Sequence, residues 1–231
     1  MSKAERGFRQ SGRLLLFARA TEPGHTKTRL IPRLGAEGAA SLAAAFVSDG
    51  LARAARAAPT VLATTRFPDV VEFAVEAWLQ PEGDLGHRLE TLLRRSLETA
   101  AWTMALGADS PDLPDLSLLE AIGLLSDADA VLGPTEDGGY WCLGLKRCPA
   151  GLLSDLPWSS PRTFAATKAR LEERGLSVAI APRWWDVDEP EDLDRLQCAL
   201  ERTPGRAPHT EAWFRKHSAS ERPVRSVRLS S

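Results

Sequence analysis

Leu14-Leu15-Leu16-Phe17-Ala18 passes directly into Arg19-Ala20-Thr21-Glu22-Pro23-Gly24-His25-Thr26-Lys27-Thr28-Arg29-Leu30, and an Ala-rich stretch follows. A short apolar run bounded by a Pro-Gly turn reads as a buried strand. The loop carries Lys27 and Arg29 toward a helix pattern over Ala36–Ala58, with Leu42, Phe46 and Leu51 on one face. Strand, basic loop and helix form the opening unit of an open α/β sheet, in which ligands sit beyond the carboxyl ends of the strands. A helix start beside cations suits phosphate. A solvated basic loop without a ligand accounts for the same residues.

Outward from this unit, strand and helix patterns alternate. Thr60–Thr65 and Trp78-Leu79-Gln80 read as strands, with Val70–Ala77 helical between them. Gly86–Ala101 repeats leucine at helical spacing, and Trp102–Gly107 is a buried strand ending at Ala108-Asp109. Leu116–Leu125, Pro161–Arg174 and Glu191–Arg202 read as helices; Ala130–Leu132, Gly139–Leu145 and Leu176–Ala181 read as strands. This alternation predicts an α/β fold, a mostly parallel central sheet covered by helices.

The chain has 231 residues, 43% of them hydrophobic, which is enough for one full core. We expect a disordered extension over 1–12, one domain over 13–203 and a flexible basic tail over 204–231. The net charge of −2 carries no signal for nucleic acid. The tail holds six basic side chains (Arg206, Arg215, Lys216, Arg222, Arg225, Arg228) against Glu211 and Glu221, or +4, so the body carries −6. Three cysteines, Cys142, Cys148 and Cys198, match no zinc spacing and read as reduced thiols. No apolar run approaches the roughly 18 residues of a membrane span, and the N-terminus lacks a signal-peptide core. A cytoplasmic protein acting away from membranes is the expectation; the sequence does not fix its oligomeric state.

Four stretches can carry chemistry. Asp109, in Asp109-Ser110-Pro111-Asp112-Leu113-Pro114, directly follows a strand, so its carboxylate lies at the sheet's carboxyl edge; a simple turn or helix cap is the alternative. In Trp184-Trp185-Asp186-Val187-Asp188-Glu189-Pro190-Glu191-Asp192, an extended chain puts Asp186 and Asp188 on one face. Glu191 and Asp192 are explained by the start of the last helix. Two carboxylates so close repel unless compensated, and a hard divalent ion such as Mg²⁺, shared with substrate phosphates, would compensate them. Gly133-Pro134-Thr135-Glu136-Asp137-Gly138-Gly139-Tyr140 makes a turn on its own; functionally, the glycines would admit a substrate beside Asp137 and Tyr140. Gln80-Pro81-Glu82-Gly83-Asp84-Leu85-Gly86-His87-Arg88 could meet a base or phosphate, with helix capping by Asp84 as the alternative. There is no P-loop, no G-x-G-x-x-G and no G-x-S-x-G.

The order of these motifs, with Trp158-Ser159 added, resembles the GT-A-like nucleotide-diphospho-sugar transferase superfamily from Leu14 to Leu196. Within it the chain looks closest to the bacterial radical-SAM/selenodomain-associated transferases, often labelled glycosyltransferases, and is similar to the phospholactate and molybdenum-cofactor guanylyltransferases. The resemblance implies a three-layer αβα sandwich. It implies nucleotide binding by Arg19, Gly24, Lys27, Arg29, Gln80, Gly83, Asp84, Gly86 and Arg88, with Lys27, Arg29, Asp109 and Asp188 catalytic. It further implies Mg²⁺ or Mn²⁺ at Asp109 and Asp188 with Asp186 close by, and an acceptor beside Asp137, Gly138, Gly139, Tyr140, Trp158 and Ser159. Two departures stand out: Arg19 where relatives commonly carry Lys, and Thr21 where they carry Pro.

Two chemistries fit this resemblance. Asp109-Ser110-Pro111 lacks the second aspartate of many GT-A glycosyltransferases and looks like the guanylyltransferases. The expectation is therefore nucleotidyl transfer from a nucleoside triphosphate to a small phosphorylated acceptor. Glycosyl transfer from a nucleotide-sugar is the first alternative, and a catalytically silent nucleotide- or partner-binding module is the second.

Overall fold

The computed structural model describes residues 3–67 and 75–220. One sheet is built from β1 (Gly12–Ala18), β2 (Thr60–Thr64), β3 (Glu76–Leu79), β4 (Trp102–Gly107), β5 (Ala130–Pro134), β6 (Tyr140–Leu145) and β7 (Val178–Ile180). The strand order is β3-β2-β1-β4-β6-β5-β7. Among the described residues only β6 runs antiparallel, between β4 and β5. The helices are α1 (Lys3–Gln10), α2 (Ile31–Ala57), α3 (Leu85–Leu97), α4 (Asp115–Leu124), α5 (Thr163–Glu173), α6 (Pro190–Arg202) and α7 (Pro208–Ser220).

Side-chain alternation along the strands builds the layers. Leu14 and Leu16 of β1, with Trp102, Met104 and Leu106 of β4, face α2 and α4. Leu15 of β1 and Ala105 of β4 face the opposite layer, where α3 supplies Leu89, Leu92 and Leu93 and α5 supplies Leu171. The expected three-layer α/β sandwich is what forms. The chain turns from β1 to β2 and β3 on one side and to β4 on the other, so the switch point of the sheet lies between β1 and β4.

Helix α2 bends at Gly35, whose φ of 69° only glycine adopts freely, so the long helical run begins where the Ala-rich pattern does. Residues 28–57 are long and apolar enough, by length and composition, to cross a membrane. In this fold 33% of its apolar window is buried, with Leu42 and Phe46 packed against α6 and α7. The helix expected over Val70–Ala77 lies mostly outside the described residues, and Ala77 belongs to β3.

Within both terminal stretches expected to be disordered, the described residues form helix: α1 over Lys3–Gln10 and α7 over Pro208–Ser220, while residues 1–2 and 221–231 lie outside the described residues. Phe8 of α1 stacks on Trp102 at 5.8 Å, and the Trp102 indole donates to the Phe8 carbonyl at 3.0 Å. In the tail, 208–220 is helix α7. Its Trp213 is buried and donates to Ser41 Oγ at 2.8 Å. Buried Asp49 of α2 accepts from the His209 and Thr210 backbone N–H groups at 3.0 and 2.8 Å and from the Thr210 hydroxyl at 2.7 Å. A short segment with weak apolar periodicity is thus anchored by one remote carboxylate.

Removing that carboxylate strands three donors, a loss of about 1–3 kcal/mol for buried groups. We expect Asp49→Ala to lower urea stability by that amount and to speed amide exchange at His209 and Thr210. Unchanged exchange at both amides would refute this docking.

Candidate functional site

The β1–α2 loop is fixed before it reaches the site. Thr65 Oγ1 accepts from the Ala20 N–H at 3.0 Å, and Thr26 Oγ1 donates to the Ala20 carbonyl at 2.7 Å. Gly24 takes the positive φ, 82°, that the Pro23-Gly24 turn requires. Lys27 itself lies in the left-handed region, at φ 47° and ψ 47°, immediately before a 3₁₀ turn over Thr28–Leu30.

That conformation brings the Lys27 ammonium to the carboxyl end of β4. Nζ lies 2.7 Å from Asp109 Oδ1 and 2.8 Å from Asp188 Oδ1, and donates to the Val187 carbonyl at 2.5 Å. The Lys27 side chain is 8% exposed, whereas Asp109 and Asp188 are about half exposed, at 51% and 42%. Burial opposes the ammonium charge, but Asp109 and Asp188 outweigh it and the Lys27 pKa rises.

The segment carrying Asp186 and Asp188 is stitched to the Asp109 loop. The Val187 N–H donates to the Asp109 carbonyl at 2.9 Å. Ser110 Oγ donates to the Trp185 carbonyl at 2.8 Å, and the Trp184 indole donates to Asp112 Oδ1 at 3.2 Å. On its other side, the Trp184 N–H donates to the Pro134 carbonyl at 3.0 Å, which draws in the 133–140 turn. Asp186 then titrates near 6, raised by burial first and then by Asp137, Asp188 and Asp109. Asp192 accepts from the Asp188 and Glu189 backbone N–H groups at 3.0 and 2.8 Å, closing the capping box that starts α6.

The structure brings together Lys27, Asp109, Asp186 and Asp188, with Asp137 in electrostatic reach. It gives other sequence-singled residues local partners. Arg29 pairs with Glu189 at 3.0 Å on the surface. Arg19 is exposed and has no ion-pair partner among the described residues. Gln80 spends its amide N–H₂ on the Ala18 and Ala63 carbonyls at 3.1 and 2.8 Å. Asp84 caps α3 through the His87 N–H at 2.8 Å, and Arg88 donates to the Gly83 carbonyl at 2.8 Å. Gly86 is a close-approach site: a Cβ there would lie 2.4 Å from the Leu153 carbonyl oxygen.

On the side expected to take an acceptor, Asp137 accepts from Thr135 Oγ1 at 2.5 Å and from the Gly139 N–H at 2.8 Å. Gly138 sits against Pro161, where a Cβ would come within 2.2 Å of the carbonyl oxygen. Tyr140 and Trp158 meet edge to face at 6.4 Å. Burial pushes the Tyr140 pKa up against an opposing contact with Thr167, and among the described residues neither the Tyr140 hydroxyl nor the Trp158 indole N–H has a hydrogen-bond partner. Ser159 adopts a positive φ of 54° in the following turn.

Arg53 is the residue the motif reading passed over. It is buried on α2 and donates to the Ser110 and Pro111 carbonyls behind Asp109. Its signal was Asp49 and Arg53, charges one turn apart within an Ala-rich helix.

This sheet, with a cation loop after β1 and carboxylates after β4, defines the fold class of nucleotide-diphospho-sugar transferases and nucleotidyltransferases. The candidate nucleotide-diphospho-sugar transferase of Desulfovibrio desulfuricans G20 superposes with a TM-score of 0.82 at 27% identity, over 91% of this chain and 96% of that one. The 4-diphosphocytidyl-2C-methyl-D-erythritol synthase of Anaerococcus prevotii DSM 20548 shares the fold, with a TM-score of 0.56 at 9% identity over 83% of this chain and all of that one (100%). A 2-phospho-L-lactate guanylyltransferase of Methanothermobacter thermautotrophicus is 28% identical over 87% of this chain and 89% of its own length. The chain belongs to the family described as "Uncharacterized protein conserved in bacteria (DUF2064)", whose model matches residues 39–160.

Asp186 supplies a pH test of this crowding. Its pKa is raised from 3.8 to about 6, so the folded state binds its proton more tightly than the unfolded state. Its stabilising contribution is therefore full below pH 3.8 and is lost as pH rises through about 6. In EDTA, Asp186→Asn should melt higher than the parent at pH 7.5, and the gap should narrow toward pH 4. An equal gap at both pH values would show that Asp186 is not held up by its neighbours.

Proposed function

We propose that this protein is a metal-assisted nucleotidyltransferase that joins the nucleoside monophosphate part of a nucleoside triphosphate to a small phosphorylated acceptor. The observation that carries this reading is the buried Lys27 ammonium held between Asp109 and Asp188 at the sheet's switch point. The likeness to a guanylyltransferase over nearly the whole chain supports it. So does the third position of the Asp109 turn, where Pro111 stands instead of a second carboxylate.

The donor set suits a hard divalent ion. Asp109 and Asp188 share a single buried ammonium, and beside them burial first, then Asp137, Asp188 and Asp109, drive Asp186 toward its protonated form. Among the described residues no three His, Cys, Asp or Glu side chains form a ready metal cage. That pattern suits Mg²⁺ or Mn²⁺, since Mg²⁺ commonly takes one or two carboxylates and completes its shell with water and substrate phosphates. Asp109 and Asp188 would hold it, with Asp186 beside them. When bound, the ion would neutralise charge on the triphosphate.

The chain's own residues then position and stabilise. An acceptor phosphate oxygen attacks the α-phosphorus; the new P–O bond forms as the bond to the β-phosphate bridge breaks, and pyrophosphate leaves. The acceptor oxygen is already anionic, so no side chain has to remove a proton from it. Lys27, fixed beside Asp109, offers charge at the reacting phosphates, and Arg19 offers an exposed guanidinium with no ion-pair partner among the described residues. Catalysis of this kind rests on orientation and electrostatics rather than protein nucleophiles.

The likeness to a nucleotide-sugar transferase structure keeps glycosyl transfer as the second reading. A thermal-shift panel separates the two, comparing triphosphates, diphosphates and nucleotide-sugars with Mg²⁺, Mn²⁺ or EDTA. Ligand at a hundred times its Kd adds about 2.7 kcal/mol, which is readily seen. Metal-dependent stabilisation by one triphosphate is the expected result; stabilisation by a nucleotide-sugar alone would move the reaction to glycosyl transfer. Equal binding with and without metal, and no turnover, would indicate a silent module. Asp109→Ala and Asp188→Ala should each cut turnover by about 10²–10³-fold while the protein stays folded. Parent rates in both variants would overturn the site.

A further inference from the structure

We propose that Arg53 is a positioning residue for Asp109, acting from behind the site through the main chain of the loop that carries it. The proposal rests on the reading above, in which Asp109 belongs to the reacting centre.

Arg53 is 5% exposed. Its guanidinium donates to the Ser110 carbonyl at 3.5 Å and, more closely, to the Pro111 carbonyl. Its Nε lies 3.5 Å from Asp115 Oδ1 but makes no hydrogen bond. Burial lowers its pKa, and Asp115, Asp49 and Asp112 offset this only in part. A buried cation is expensive unless it is well paired. The natural partner is Asp49, one helical turn earlier, but both its oxygens are taken by the start of α7. Asp112 bonds the Trp184 indole. The guanidinium is left with the Ser110 and Pro111 carbonyls and the longer contact to Asp115 at 3.5 Å.

What this arrangement gains is geometric. Arg presents its donors in a rigid planar fork, so two successive carbonyls become fixed relative to the axis of α2. On the opposite side the same loop is bonded to 184–188 by Val187 N–H to the Asp109 carbonyl and Ser110 Oγ to the Trp185 carbonyl. Residues 109–111 are therefore clamped from both sides. The direction of the Asp109 side chain, and its 2.7 Å contact with Lys27, follow from that clamp. Lysine at position 53 keeps the charge but has no fork to hold two carbonyls at once.

The test uses the full chain with Arg53→Lys and Arg53→Met, and Arg56→Gln as control. Arg56 lies on the same helix and makes only an exposed pair with Asp115, at 3.0 Å. The first readout is the Lys27 ¹⁵Nζ–¹H NMR signal in metal-free buffer, assigned by its loss in Lys27→Met. We expect Arg53→Lys to shift that signal or broaden it through faster hydrogen exchange, and Arg56→Gln to leave it in place. The second readout is steady-state turnover of GTP with Mn²⁺ and excess 2-phospho-L-lactate as the probe acceptor, the one named for the similar guanylyltransferase. In Arg53→Lys kcat should fall by about tenfold or more, with the GTP KM within about twofold, because the group lost acts in the transition state rather than in binding.

A folded Arg53→Lys protein with an unmoved Lys27 signal overturns the proposal. So does failure of Arg53→Lys to fold, which would assign the residue to stability alone. If the parent protein turns over no nucleotide, the nucleotidyl-transfer reading falls, while the Lys27 signal still decides the role of Arg53.

Discussion

One ammonium group ties three separate parts of this chain together. Lys27 comes from the loop after β1, Asp109 from the end of β4, and Val187 and Asp188 from the segment that leads into α6. Without the cation, two carboxylates near a common point would repel. The left-handed backbone at Lys27 costs about 1–2 kcal/mol for a residue with a Cβ. It persists because the conformation is over-determined: the loop is pinned at Ala20 and Thr26, and Nζ has three partners at its far end. Local strain held by surrounding bonds at a cluster of charges is a common mark of a functional centre.

The surface pairs near Lys27 do less than their number suggests. Arg29–Glu189 and Arg33–Asp194 continue the contact between the β1–α2 region and α6, but all four side chains are largely exposed. Exposed pairs contribute at most about 1 kcal/mol and are screened by salt. The seam is carried instead by burial of Leu30, Leu42 and Phe46 against Trp185, Val187, Leu193 and Leu196. The ion pairs set register along a seam that apolar packing holds shut. Arg29 is thus paired in the free protein only through a solvent-exposed contact, whereas the buried Lys27 ammonium is held by three partners.

The fold was legible because it rests on local patterns. Apolar runs such as 14–18 and 102–107 mark strands buried on both faces, and leucines at 89, 92, 93 and 97 mark a helix. Period two placed Asp186 and Asp188 together, and the strand end placed Asp109. What was not legible depended on partners far along the chain. Nothing local to His209 and Thr210 names Asp49 as their acceptor, 160 and 161 positions away. Gln80 and Asp84 were ambiguous for another reason: an amide or carboxylate at the end of a strand or the start of a helix serves backbone and ligand equally well. The folded chain spends the Gln80 N–H₂ and one Asp84 oxygen on the backbone.

The charge balance of the site bears on how a polyphosphate enters it. Asp109 and Asp188 share one buried ammonium, Asp186 and Asp137 add negative charge beside them, and Arg19 is exposed without an ion-pair partner among the described residues. On the proposed reading, a triphosphate brought in alone would meet the site's carboxylates and find Lys27 engaged by Asp109 and Asp188. On the proposed reading, nucleotide and divalent ion bind as one unit, each compensating a charge the protein leaves unbalanced. This coupling needs both aspartates at fixed positions relative to the loop cation. A main-chain clamp between 109–112 and 184–188 provides that more rigidly than contacts among long side chains, because each backbone bond fixes a carboxylate's origin and leaves only its χ angles free.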